Sequence, residues 1–144
     1  MSSLVLVIGN KNFSSWSLRP WLALTEFGIP FEEISVPLFV PGYKERILAA
    51  SHAGKVPVLI DGSVAVWDSL AIGEYLGEKF PERGVWPRDV AARAHARCVS
   101  AEMHSGFQNL RGQMPMNIRK LVPGRPRTPE VEADVARVMA LWGE

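Results

Sequence analysis

The stretch Gly54-Lys55-Val56-Pro57-Val58-Leu59, running on through Asp61-Gly62 to Asp68-Ser69, restricts this chain more than any other segment. A proline at the entrance of an apolar strand removes one ladder donor, so it belongs at a strand's first residue or on an edge. The dipeptide Asp61-Gly62 between Pro57–Ile60 and Ser63–Trp67 is the signature of a two-residue type I′ hairpin. An acid and a hydroxyl at 68 and 69 suit a helix start, which predicts a helix over Asp68–Phe80. The pattern leads us to expect a cis Val56–Pro57 bond, with the peptide groups ahead of it facing a ligand rather than a neighbouring strand.

Upstream, Leu4 to Ile8 is an unbroken branched apolar run, the pattern of a strand buried on both faces. A polar loop leads into a helix near Ser17, which could cap it, with Pro20 tolerated in the first turn and Gly28 as terminator. Phe31–Val36 reads as a second strand and Tyr43–Ala50 as a short helix. The order over residues 1–80 is therefore β-α-β-α-β-β-α, an α/β unit with a mixed four-stranded sheet. Residues 81–88 form a proline- and glycine-rich linker. Beyond it only helical patterns remain: one long helix from Asp89 to about Leu110, a loop over 111–127, and a helix opened by Thr128-Pro129. The stripe Val131, Val135, Val138, Met139, Leu141 and Trp142 is still running at Glu144. One long helix and part of another cannot bury their apolar faces on 80 residues, so either another chain covers them or, the reading we favour, this is a piece of a longer chain.

Composition narrows the function classes. With 47% apolar and 22% charged residues the chain suits a globular core, and a net charge of +1 offers no field for nucleic acid or an anionic membrane. The single cysteine, Cys98, excludes an internal disulfide, a CxxC pair and a cysteine-rich zinc site; we expect it buried. His95 and His104 have no acid or cysteine at metal-ligand spacing, so no metal is expected. No segment reaches the length of a membrane span or a signal h-region, and the expectation is a cytoplasmic protein.

Three segments, Ser14-Ser15-Trp16-Ser17-Leu18-Arg19, Gly54 to Leu59, and Trp67-Asp68-Ser69-Leu70-Ala71-Ile72, each fall on the matching element and in the matching order. Together the chain resembles a cytosolic glutathione S-transferase. The serine pair followed by Ser-x-Arg is similar to the zeta type, which includes maleylacetoacetate isomerases, with Trp16 where that type usually carries cysteine. His104-Ser105-Gly106-Phe107-Gln108 is loosely zeta-like as well. The resemblance implies a thioredoxin-like glutathione-binding domain over 1–80 and the start of an all-α domain over 89–144. It also implies glutathione as co-substrate, a small electrophile as partner, detoxification chemistry and a homodimer. The alternative is a non-catalytic member of the same fold used for binding or assembly.

A free thiol of this kind has a pKa of about 8.5, so an enzyme must stabilise its thiolate. On the resemblance Ser14, with Ser15 close behind, would donate the hydroxyl hydrogen bond near a positive helix end. The plainer reading is loop solvation and capping. Arg19 could add to the positive field. Ser69 would hold the α-carboxylate and Asp68 the α-ammonium of the γ-glutamyl group, although both residue types suit any helix start. Val56, next to Pro57, would pair its main-chain groups with the cysteinyl part, and Lys55 could meet the glycyl carboxylate. His52 lies near enough in sequence to share that role but reads more simply as exposed. Met103, Phe107 and Met114 are candidates for the electrophile pocket or for core. The five basic residues Arg111, Arg119, Lys120, Arg125 and Arg127, with no acid among them, form a local positive loop, usually just solvated and less often attracting a carboxylate-bearing substrate or nucleic acid.

Overall fold

A computed structural model describes residues 3–143. Strands β1 (Leu4–Ile8), β2 (Phe31–Ser35), β3 (Val58–Asp61) and β4 (Val64–Trp67) form one sheet in the order β2-β1-β3-β4. β1 runs parallel to β2 and antiparallel to β3, with Leu6 opposite Leu59, and β3 is antiparallel to β4. The Val56–Pro57 bond is cis, and Pro57 directly precedes the first residue of β3.

Side chains alternate along β1, so Leu4, Leu6 and Ile8 join Leu24, Ile29, Leu59, Ile72 and Leu76 on one face. Val7 meets Val36, Ile47 and Val58 on the other. Helices α1 (Ser15–Glu26) and α3 (Ser69–Lys79) cover the first face and α2 (Tyr43–Ala50) the second. This is the mixed sheet covered by helices expected from the element order and the thioredoxin-like arrangement implied by the resemblance, followed by helices α4 (Val90–Ser105), α5 (Gln108–Gln113) and α6 (Pro129–Leu141). None of the described helices is long and apolar enough to cross a membrane.

Four local expectations are corrected. The hairpin loop is Gly62-Ser63, not Asp61-Gly62: Asp61 pairs with Val64, and only Gly62 takes a positive φ, at +59°. The shift lets the buried Asp61 carboxylate turn inward to the Tyr75 hydroxyl (2.7 Å) and the Lys79 ammonium. That bond to Asp61 raises the pKa of both partners. Helix α1 begins earlier than expected and is capped by Ser14, not Ser17. The long helix breaks at Gly106-Phe107, where Gly106 is extended and Phe107 is left-handed at φ 61°. The break turns Phe107 into the interior, and Asp134 of α6 accepts from the Leu110 N–H at 2.9 Å to satisfy the new helix start. Cys98 is exposed rather than buried, because α4 offers that face to solvent.

Candidate functional site

A cleft of about 530 Å³ opens beside the ends of β3 and β4, walled by Trp16, Ala53, Lys55, Val56, Pro57, Trp67, Asp68, Ser69 and His104. It gathers five of the seven sequence-derived site residues, all but Ser14 and Ser15. The main-chain N–H and C=O of Val56 find no hydrogen-bond partner among the described residues, since the ladder starts only at Val58. Ser69 is the first residue of α3, where the helix leaves N–H groups without intrahelical partners. Its Oγ is buried and also without a partner, and its side chain lines both this cleft and a second one. Lys55 is exposed at the rim and makes no ion pair among the described residues. His52 is exposed and rests edge-on to Trp67 at 4.7 Å.

Asp68 caps α3. Its Oδ1 accepts from the N–H of Leu70 at 2.8 Å, while its backbone stands at φ 77°, ψ 133°. The carboxylate's other oxygen, Oδ2, lies 3.2 Å from His104 Nε2. Asp68 therefore reaches the cleft with its own side chain.

The serines stand differently from one another. Ser14 Oγ accepts weakly from Ser17 N (3.4 Å) and donates to Ser17 Oγ (2.8 Å), which also accepts from Gly9 N (3.0 Å). Ser17, buried inside the first turn, thus braces the end of β1 against α1. Ser15 is half-buried at the first helical position, and its hydroxyl has no partner among the described residues. Asn12 ties this loop to the helical half: its Nδ2 donates to Asn117 Oδ1 (3.0 Å), and its Oδ1 accepts from Arg119 N (3.1 Å).

Between the two clefts sits a charged aromatic cluster. The guanidiniums of Arg19 and Arg111 lie 4.2 and 4.5 Å from the Trp16 ring centre, and His104 meets the ring edge at 5.1 Å. Burial, then the like charge of Arg111, lowers the pKa of Arg19, and Asp68 pulls it partly back. Arg111 donates to the Met103 carbonyl, while its Nε is buried without a partner. The second cleft, about 430 Å³, is more apolar and lies between α1, α3 and α4, with Met103 and Trp142 in its wall. Phe107 lines neither cleft and is core. Met114 lines a separate basic groove with Lys120, Arg125 and Arg127. Asn12, Trp16, Arg111 and His104 were not singled out by sequence reasoning as site groups. Residues 16 and 104 are brought together only by the docking of α4, and no local spacing announces it.

No group of three or more histidine, cysteine, aspartate or glutamate side chains that could hold a metal occurs among the described residues.

Residues 13–79 match the family model for the glutathione S-transferase N-terminal domain, and that stretch is a domain of this kind. The curated relatives it resembles include zeta-type proteins. The chain is 36% identical over 100 residues to a probable maleylacetoacetate isomerase of Caenorhabditis elegans, covering 69% of this chain and 46% of that protein. It is 30% identical over 129 residues to a zeta-class glutathione S-transferase of Euphorbia esula, covering 88% and 57%. Among solved structures, a Burkholderia glutathione transferase homologue with bound glutathione superposes with a TM-score of 0.70 at 24% identity, over 96% of this chain and 64% of that one. The chain spans about half the length of the curated relatives it matches.

Proposed function

We propose that the protein binds glutathione in the Val56–Ser69 cleft and acts as a glutathione-dependent transferase or isomerase. The observation that carries this reading is the Ser69 hydroxyl, buried, unpartnered and set in the first turn of α3 on the cleft wall. A buried donor left unsatisfied costs about 1–3 kcal/mol, which a ligand carboxylate at a helix N-terminus offsets. The free main-chain groups of Val56 suit an extended peptide, Lys55 a second carboxylate at the rim, and Asp68 the ammonium. Pro57 keeps the strand from extending into that space.

Glutathione supplies the thiol that becomes the nucleophile. Ser14 or Ser15 donates its hydroxyl to the thiolate and so favours the ionised form. The uncommitted hydroxyl of Ser15 suits that task without rearrangement, whereas Ser14 must give up its bond to Ser17. We place the glutathione-binding unit at residues 1–80, a linker at 81–88 and the opening of a helical domain at 89–144. The reading carries with it a homodimer, a cytoplasmic location and an electrophile drawn from detoxification chemistry.

One observation favours a second reading, a binding or assembly module without catalysis: neither Ser14 nor Ser15 lines the cleft. Calorimetric titration with glutathione and thiolate absorbance near neutral pH separate the two. Transferase chemistry is expected to show binding, a thiolate signal lost in Ser14→Ala or Ser15→Ala, and affinity at least about tenfold weaker in Ser69→Ala. Binding with no serine-dependent thiolate favours the module reading, and no binding at all refutes the transferase reading.

A further inference from the structure

Asp68 and His104 are 36 residues apart in sequence, yet their side chains meet on the wall of the same cleft. The Asp68 carboxylate has a neighbour at each oxygen. The first turn of α3 holds Oδ1, and Oδ2 faces the imidazole Nε2 at 3.2 Å. Among the described residues no hydrogen bond holds the imidazole. Its Nδ1 is buried and unpartnered, and Trp16 packs against its edge with the ring planes at 74°. The Asp68 side chain keeps 44% of its surface exposed, so Oδ2 has lone-pair capacity left toward the cleft. Asp68 also occupies a backbone region that a non-glycine residue holds only where its surroundings over-determine it.

Resting on the reading of this cleft as the glutathione site, we propose that His104 is a positioning residue for the ligand's α-ammonium group. It fixes Asp68 Oδ2 at the cleft wall, so the ammonium meets a carboxylate already ordered and not one it must immobilise on binding. Ser69 and the start of α3 take the neighbouring α-carboxylate. The helical half of the chain thereby enters amino-acid headgroup recognition through one side chain at the last turn of α4. Trp16 sets the ring plane, which gives the tryptophan in the serine motif a role of its own.

The test compares glutathione with its deamino analogue, γ-glutaryl-cysteinyl-glycine, by calorimetry on wild type, His104→Phe and His104→Asn. Phenylalanine keeps a ring against Trp16 and removes both nitrogens; asparagine keeps a donor toward Asp68. Wild type is expected to prefer glutathione by about tenfold, the size of one well-placed charged contact. His104→Phe is expected to lose about tenfold for glutathione and less than about twofold for the analogue, with His104→Asn recovering part of the loss. Equal losses for both ligands, or no loss in His104→Phe, overturn the proposal while leaving glutathione binding intact. Should His104→Phe fail to fold, His104→Asn carries the same comparison: a loss confined to glutathione supports the assignment, and an equal loss for both ligands overturns it. A wild type that binds neither ligand refutes the underlying glutathione reading instead.

Discussion

Asp68 does two jobs with one side chain, capping α3 with Oδ1 and facing the cleft with Oδ2, and it does them from an unfavourable backbone. Holding a non-glycine residue in such a region costs about 1–3 kcal/mol, and an aspartate cap replaced by glycine costs only a few tenths. Asp68→Gly is therefore expected to melt within a few degrees of wild type, or above it, while binding glutathione at least about tenfold more weakly. Thermal melts and titration of the same preparation check both halves. The residue types at this site were legible in the sequence: an acid and a hydroxyl opening a helix, and a lysine, valine and proline before a strand. Which hydroxyl caps and which is free was not legible. Ser14, Ser15 and Ser17 are chemically alike, and only the approach of Gly9 N to Ser17 Oγ sorts them.

At the scale of elements, the break between α4 and α5 is the feature that periodicity missed. Alanine-rich spacing favours one continuous helix, but Phe107 gains burial by leaving the helical path. Gly106 makes the turn because a Cβ there would stand 2.8 Å from the Glu102 carbonyl oxygen. Gly106→Ala must push that last turn apart and is expected to destabilise by about 1–3 kcal/mol, measured by chemical denaturation. The same change should disturb His104, two residues earlier, and weaken glutathione binding together with stability. The hairpin shift has a similar origin. Asp61-Gly62 is a good turn by its residue types, yet the buried bonds from Asp61 to Tyr75 and Lys79 keep the aspartate in the strand. Tertiary contacts outweigh a local turn preference there.

Across the whole molecule, the helical segments are tied to one another and to the sheet unit by bidentate ion pairs. Arg97 grips Glu74 of α3 (2.9 and 2.7 Å), and Arg137 of α6 grips Glu102 of α4 (2.7 and 2.9 Å). The bond from Arg137 lowers the pKa of Glu102 in the folded state. A carboxyl held lower in the folded than in the unfolded chain stabilises the fold above its unfolded value, about 4.3, and that contribution is lost as pH falls through the folded value. The stability difference between wild type and Glu102→Gln is expected to be constant near neutral pH and to shrink below about pH 4. Denaturation curves across a pH series check it; a difference independent of pH would show that the pair contributes nothing through charge. The sequence by itself determined the order β-α-β-α-β-β-α, the sheet with its proline-entered strand, and the cleft residues from Lys55 to Ser69. These depend on apolar periodicity and on the backbone chemistry of proline, glycine and helix starts, which act over a few residues. Only the tertiary structure decided that Trp16, Arg19, Asp68, His104 and Arg111 converge between two clefts, because that convergence depends on how α4 docks against α3. Docking is an energy shared among faces far apart in the chain, and no local pattern encodes it.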